Sequence, residues 1–153
     1  MKPVYDVTSF EPRKAVGYLM HRVRSEMLTA LDRELAQDTT LAELEVTGAQ
    51  FVILVNLADR DTDSTSRLCK DMSYDPGAMT RMVDRLEAKG LIQRHRCPDD
   101  RRLINLELTD AGHAAVPRMR ACAVAVLNRF LRGFSKDEAR ELEGFLTRMI
   151  ENA

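Results

Sequence analysis

The sequence predicts a mainly α-helical protein with one small β-hairpin, an α+β fold. Apolar residues recur at three- and four-residue spacing in several segments, which is the period of an amphipathic helix. Residues 102–108 instead alternate, with Ile104, Leu106 and Leu108 on one face, as in a half-buried strand. Helix-capping residues mark the ends of the helical segment that precedes the hairpin. They are Asp75 before this segment and Gly90 after it.

Length and composition favour one domain, residues 1–153, with a core of its own. Apolar residues make up 44% of the chain and charged residues 31%, which is ordinary for a charge-rich helical protein. Apolar runs stay well short of the roughly 20 residues that span a bilayer. The N-terminus lacks the apolar core of a signal peptide. We therefore expect a cytoplasmic protein.

The N-terminal third predicts two helices. An apolar stripe indicates the first over residues 13–35, and residues 36–46 are expected to form a loop with some helical character. Thr47 is a suitable N-cap for a second helix, from Gly48 to about Asp59. This helix is apolar nearly all round, which predicts a central, buried element.

The middle of the chain predicts a short helix, a turn, a longer helix and a hairpin. A polar, turn-like run at 59–64 precedes the short helix, Thr65–Met72. Asp75 and Pro76 suit the N-cap and first position of the longer helix, and Gly90 suits its C-terminal end. Two segments within residues 91–108, joined by a turn, follow as the strands of the hairpin. This order is that of a winged helix-turn-helix lobe, which we place at about 47–109.

The C-terminal third predicts two further helices. Pro117 is expected to interrupt and kink the first of them, and Ser135 to Glu138 form a capping box for the last. The helices at 13–35 and 110–151 carry wide apolar stripes that a small central lobe cannot cover. They are therefore predicted to be dimerisation helices, the alternative being a monomeric bundle that buries its own stripes.

Charge is distributed unevenly along the chain. Residues 65–102 contain nine Lys or Arg and six Asp or Glu, a net charge of +3, while the whole chain carries −1. A basic region on a winged helix-turn-helix is the electrostatic footprint of phosphate contact. We therefore predict that this lobe binds double-stranded DNA.

Candidate DNA-binding residues on the longer helix lie in its first turns and on its polar face. Small side chains in the first turn admit the duplex backbone, a methyl group can contact thymine, and an arginine can bond guanine through two hydrogen bonds. The alternative is an ordinary solvated helix face. The candidates are Gly77, Ala78, Thr80, Arg81 and Arg85.

The hairpin contains four arginines, which predict a wing that enters the minor groove. They are Arg94, Arg96, Arg101 and Arg102, and Asp100 is placed to hold Arg102. The alternative is a solubilising hairpin whose charges deter edge pairing.

Three motifs make a family resemblance specific. They are T-R-x-x-D-R-L-E-x-K-G-L-I at 80–92, D-x-R at 100–102 and L-T-x-x-G at 108–112. This stretch resembles the winged helix-turn-helix core of the MarR (multiple antibiotic resistance regulator) family. The resemblance implies a dimeric, ligand-responsive transcription regulator, usually a repressor. It also implies that Thr80, Arg81 and Arg85 read the operator and that Asp100 and Arg102 form the wing pair.

The resemblance further implies a small effector, an aromatic or phenolic acid bound between the dimer helices and the DNA-binding lobe. Tyr18, His21, Arg22 and Phe51 are the candidates, because they combine aromatic surface with a cation for a carboxylate. Ordinary packing or surface roles are the alternative for each of them.

Other classes of function are less well supported. A redox sensor that uses Cys97 beside Arg96 is one alternative, and a winged helix that binds only protein is another. We expect no enzyme, since the sequence lacks a glycine-rich phosphate loop and an HExxH motif. Metal and cofactor sites are not predicted, because the three cysteines and three histidines are scattered.

Overall fold

The computed structural model of the protein describes residues 3–60, 62–96 and 104–153. Within these ranges a 3-10 turn at Pro12–Lys14 precedes the helices and strands. In chain order these are α1 (Val16–Gln37), α2 (Thr39–Leu44), α3 (Gly48–Arg60), β1 (Thr62–Ser64), α4 (Thr65–Met72), α5 (Pro76–Ala88), β2 (Ile92–Arg96), β3 (Ile104–Leu108), α6 (Asp110–Phe130) and α7 (Lys136–Glu151).

The strands form an antiparallel sheet in the order β1-β3-β2, with β3 in the centre. Leu106 of β3 lies opposite Asp63 of β1 and opposite Arg94 of β2. The hairpin of β2 and β3 was predicted, but β1 was not, since residues 59–64 were interpreted as a turn. The three residues of β1 are all polar and show no alternation of apolar and polar side chains, so only their pairing with β3 identifies them as a strand.

The core forms where α3, α5 and the sheet meet α1, α2 and α6. α3, which was predicted to be apolar nearly all round and buried, buries one face fully and leaves Phe51, Val52 and Val55 half-buried. Most of the stripe predicted for α5 is buried. Fully buried members include Ile53, Leu54 and Leu57 of α3 together with Met79, Val83 and Leu86 of α5. Leu106 and Met119 close the core from β3 and α6. The periodicity therefore identified the inward face of α5 correctly.

The expected loop at 36–46 is largely helical, which corrects that prediction. The Asp38 side chain accepts hydrogen bonds from the amides of Thr40 and Leu41, each 3.0 Å long, and so caps the start of α2. Leu41 is fully buried. A six-residue helix shows less than two turns of periodicity, so its apolar face is hard to recognise in the sequence.

α6 runs without interruption past Pro117, contrary to the expected break. Proline removes one backbone donor, and the exposed face of a long, packed helix can lose that bond without ending. Pro117 lies on this exposed face. A bend of the axis at this point stays a prediction.

The ends of the chain carry apolar side chains that the rest of the chain leaves uncovered. α7 begins at the predicted capping box of Ser135 and Glu138, but it contains no buried residue. Its stripe is exposed at Leu142, Phe145, Met149 and Ile150, and α1 exposes Tyr18, Leu19, Met20 and Val23. Among the described residues, we find no helix long and apolar enough to cross a membrane.

Candidate nucleic-acid interface

The start of α5 is fixed by its N-cap. The Oδ1 of Asp75 accepts a hydrogen bond from the Ala78 amide at 2.8 Å, and Pro76 occupies the first helical position, as predicted. The turn from α4 passes through Ser73, which adopts a left-handed conformation with φ of 51°. A defined cap sets where the exposed face of α5 begins, and therefore which side chains project from it.

The end of α5 joins the helix to the hairpin. Gly90 has a φ of 68°, and its amide donates to Glu87 O while the Leu91 amide donates to Leu86 O, a Schellman arrangement. Thr109, just after β3, donates its hydroxyl to Gly90 O at 2.6 Å. The two ends of the hairpin are thus held at the C-terminus of α5.

The outer face of α5 presents most of the predicted DNA-binding side chains to solvent. Thr80, Arg81 and Arg85 are exposed, Gly77 is exposed in the first turn, and Ala78 is half-buried. The Thr80 hydroxyl donates to Pro76 O at 2.8 Å, which occupies its proton and leaves the methyl group for apolar contact. The structure therefore brings these five residues together on one surface.

Arg94 does not project from the hairpin, which corrects its expected position. Its half-buried guanidinium contacts the carboxylates of Asp84 and Glu87 on α5. Asp84 and Glu87 lie three residues apart on the helix, so both reach the same strand residue. Arg94 thereby ties β2 to α5 and offsets part of the negative charge of Asp84 and Glu87 beside the predicted DNA-binding face.

The predicted wing tip lies outside the described residues. Cys97, Asp100, Arg101 and Arg102 all fall there, so their roles stay predictions. Nearer the base of the hairpin, Arg96 is exposed at the end of β2. The Nε2 of His95 lies 3.2 Å from a carboxylate oxygen of Glu107 across the strand pair.

A groove of about 500 Å³ separates α5 from the hairpin. Its floor carries hydroxyl groups from the start of α4, which sequence reasoning did not single out. The lining residues are Ser64, Thr65, Ser66, Thr80, Asp84, Arg94 and Ile104. The run of hydroxyl residues at the start of the helix-turn-helix was the available signal. Hydroxyl groups at this position are suitable donors to phosphate oxygens.

A charged cluster fixes α4 beside this groove. The Nη1 of Arg60 lies 2.7 Å from the buried Asp63 carboxylate and 2.6 Å from that of Asp71. The hydrogen bond from Arg60 lowers the pKa of Asp71 below its ordinary value. Asp63 precedes α4 and Asp71 lies in its last turn, so one arginine holds both ends of the short helix.

The predicted effector residues are not gathered into one cavity. Tyr18, His21 and Arg22 are exposed on α1, and Phe51 is half-buried on α3. A separate cavity of about 250 Å³ lies between α1, α3 and the α4–α5 turn. It is lined by Arg24, Leu28, Val52, Asn56, Asp71, Met72 and Tyr74.

Arg24 and Tyr74 meet at this cavity. The Nη2 of Arg24 donates to the Tyr74 hydroxyl at 3.3 Å, and its guanidinium carbon lies 5.8 Å from the centre of the Tyr74 ring. Arg22, the cation predicted for the effector, does not line this cavity, whereas Arg24, two positions further along α1, does.

Cysteine and metal chemistry find little support in the described part of the chain. Cys69 and Cys122 are half-buried against the core. Burial, together with nearby Asp38 and Glu34, raises the pKa of the Cys122 thiol and so disfavours its reactive thiolate. Across residues 3–60, 62–96 and 104–153, no cluster of His, Cys, Asp or Glu suited to a metal ion occurs.

A capped helix with an exposed arginine face, a short helix before it and a three-stranded wing beside it define a winged helix-turn-helix protein. Residues 46–104 match the model of the MarR family. The repressor MdtR of Bacillus subtilis is 29% identical over 135 residues, which cover 88% of this chain and 81% of MdtR. Over residues 46–104 the chain therefore resembles the MarR family, whose members are DNA-binding transcription regulators and not enzymes.

Solved structures show the same fold. A cysteine-to-serine variant of Escherichia coli MarR in complex with operator DNA has a TM-score of 0.75 and 29% identity, covering 88% of this chain and 92% of that one. Bordetella bronchiseptica BpsR is a protein whose DNA binding is regulated by 6-hydroxynicotinic acid. It has a TM-score of 0.77 and 25% identity, covering 94% of this chain and 98% of the BpsR chain.

Proposed function

We propose that this protein is a dimeric, cytoplasmic repressor that binds a near-palindromic DNA operator and leaves it when a small aromatic acid binds. The observation that carries this proposal is the outer face of α5, where Thr80, Arg81 and Arg85 stand exposed beside the hydroxyl-lined groove. The E. coli MarR relative was solved on operator DNA, which supports the same use of this surface.

The proposed contacts divide by their chemistry. Arg81 bonds guanine in the major groove, and Ala78 or the Thr80 methyl contacts a thymine methyl group. Gly77 allows close approach of the duplex, while Arg85 and the hydroxyls of Ser64–Ser66 bond phosphates. In the wing, Arg101 and Arg102 enter the minor groove, with Asp100 orienting Arg102. Arg94 serves instead to hold the wing against α5.

The second copy is proposed from the uncovered apolar faces. Ile150 is 74% exposed and Phe145 is 47% exposed, although both lie on the predicted stripe of α7. If the helices within residues 13–35 and 110–151 pack against the same helices of a second copy, these side chains are removed from water. A two-fold dimer then presents two α5 helices to successive major grooves, about 34–36 Å apart.

The effector is proposed to bind at the Arg24–Tyr74 cavity. An aromatic carboxylate supplies an anion for Arg24 and a ring for the apolar wall at Leu28 and Val52. It would compete with Tyr74 for Arg24, and Tyr74 immediately precedes the Asp75 cap of α5. BpsR supports this ligand class, because an aromatic acid regulates its DNA binding.

Selection of bound fragments from genomic DNA identifies the operator and tests DNA binding directly. Arg81→Ala is expected to cost about 1–3 kcal/mol on the selected site and to relax selectivity at one base pair. Arg102→Ala should weaken binding while the oligomeric state is unchanged. Arg132→Ala, after α6, is the matched control for loss of one arginine. Equal affinity of all these variants at fixed salt would refute the assigned surface.

The effector site is tested with 6-hydroxynicotinic acid and benzoate as probes. Release of the operator fragment by either acid, abolished in Arg24→Met with unchanged affinity for DNA, supports the proposed cavity. Release that persists in Arg24→Met places the effector elsewhere. Release by peroxide that is lost in Cys97→Ser would favour a redox sensor instead.

A further inference from the structure

The short helix α2 is held at its first turn by a pair of charges. The Asp38 carboxylate that caps it also accepts three hydrogen bonds from Arg118 of α6, between 2.8 and 3.2 Å long. A six-residue helix is unstable by itself in water, so α2 depends on such contacts and on the burial of Leu41.

The other end of α2 is held from α5. The Nζ of Lys89 donates to Leu44 O at 2.7 Å and to Glu45 O at 2.6 Å. These are C-terminal carbonyl groups, which carry partial negative charge and favour a cation. Glu45 has a φ of 48°, the left-handed conformation that turns its carbonyl away from the helix. Partial burial lowers the pKa of Lys89, which agrees with an ammonium group withdrawn from water.

We propose that Lys89 is a positioning residue that fixes the C-terminal end of α5 against α2, and thereby connects α5 to α6 through Arg118 and Asp38. The contacts run in order from Arg118 to Asp38, along α2 to the carbonyls of Leu44 and Glu45, and then to Lys89. Its backbone amide donates to Arg85 O at 3.1 Å, so Lys89 is continuous with the α5 helix.

The consequence for DNA binding rests on the proposed function. The C-terminal turn of α5 carries Arg85 and leads directly into the wing, so a shift of this turn moves both contact elements together. The Lys89 ammonium is committed to two carbonyl groups, which sets it apart from a phosphate-binding lysine. Its loss should therefore lower specific affinity without changing how many phosphates the protein contacts.

Amide hydrogen exchange tests the contact without DNA. In Lys89→Met, amides of α2 should lose protection at least about tenfold, because two charge-assisted hydrogen bonds are removed, while amides of α3 keep theirs. Lys89→Arg retains the charge and donors and should restore most of the protection. Lys136→Met, at the start of α7, is the matched lysine control and should change neither. Unchanged exchange of α2 in Lys89→Met would overturn the proposal.

Operator binding tests the positioning role. Lys89→Met should weaken specific binding about tenfold and leave the slope of affinity against salt unchanged, whereas loss of a phosphate contact lowers that slope by about 0.9. Lys89→Arg should recover the affinity. Combining Lys89→Met with Arg118→Met should weaken binding less than the product of the single effects, because both substitutions release the same helix.

The two proposals fail in different ways. A wild-type protein without specific DNA binding refutes the proposed function, while hydrogen exchange still decides whether Lys89 holds α2. A lowered salt slope in Lys89→Met would make Lys89 a phosphate contact and overturn the positioning role. Independent, multiplicative effects of Lys89→Met and Arg118→Met would overturn the connection through α2.

Discussion

Arg118 and Asp38 lie 80 residues apart in the chain and form a bidentate ion pair. The Arg118 Nε lies 3.2 and 3.1 Å from the two carboxylate oxygens, and its Nη2 lies 2.8 Å from Oδ2. The Arg118 hydrogen bonds, followed by the Leu41 amide, lower the pKa of Asp38 below its ordinary value of 3.8. One carboxylate therefore caps α2 and joins it to α6.

Stability should fall in acid because of Asp38. A carboxyl group whose pKa is lowered by folding binds its proton more readily in the unfolded state, so its contribution is complete above pH 3.8. That contribution is lost as the pH falls through the lowered value. Thermal unfolding of wild type and Asp38→Asn from pH 7 to 3 should show the difference between them shrinking in acid. A difference that is constant with pH would contradict this role.

Removal of the α5 cap should destabilise the protein. Asp75→Ala leaves the Ala78 amide without its partner and should cost about 1 kcal/mol in free energy of unfolding. Asp75→Asn keeps a side-chain acceptor and should cost little. Urea unfolding at neutral pH measures both variants. Equal losses in the two would show that negative charge at this helix end, and not the cap geometry, is the important feature.

Arg94→Met should weaken DNA binding although Arg94 makes no proposed contact with DNA. Loss of the guanidinium leaves Asp84 and Glu87 unbalanced beside the DNA-binding face, where they repel phosphates. We expect a loss of affinity of at least about tenfold at low salt that diminishes as salt screens the carboxylates. Adding Asp84→Asn and Glu87→Gln to the same chain should restore affinity. Failure of this rescue would point to a direct contact by Arg94.

Gly112→Ala should be strongly destabilising. A Cβ at this position would overlap the Leu91 carbonyl oxygen and press on Leu108, where α6 begins against the end of α5. Such overpacking costs about 1–3 kcal/mol. Gly17→Ala is the matched control, because a Cβ there meets no atom within 4 Å. Calorimetry should show a lower melting temperature for Gly112→Ala and no such decrease for Gly17→Ala.

Phe145→Glu should dissociate the proposed dimer. It places a charge on the α7 stripe, where the second copy would bury it unpaired. Analytical ultracentrifugation should show a dissociation constant raised at least about a hundredfold. Arg140→Glu reverses a charge on an exposed position of the same helix and should have little effect. A wild-type protein that is monomeric at micromolar concentration would contradict the proposed pairing.

Local signals in the sequence predicted much of the fold. Asp75, Pro76 and Gly90 set the ends of α5 because caps depend on neighbouring residues alone. The inward face of α5 followed from helical periodicity, whereas α3 was predicted only to be apolar nearly all round and buried. The outer face of α5 could be assigned for the same reason, since the residues opposite a buried stripe are exposed.

Features that depend on distant pairing were missed. β1 is defined by its pairing with β3, in which Asp63 lies opposite Leu106. α2 is contacted at its two ends by Arg118 and Lys89, which are distant in the sequence. Arg94 was expected to project, but carboxylates one helix away determine its orientation. The candidate effector residues Tyr18, His21, Arg22 and Phe51 do not line the Arg24–Tyr74 cavity, whose walls meet only after α1 packs near the α4–α5 turn, and their role stays a prediction.

The central position of β3 in the sheet has a consequence during synthesis. β1 and β2 leave the ribosome before β3, but each of them pairs with β3. Residues 62–96 therefore emerge with unpaired strand edges, and the core cluster that Leu68, Met79 and Val83 share with Leu106 stays incomplete until β3 is made. At about 5–20 residues per second this delay lasts seconds, a period in which chaperone binding would protect the nascent lobe.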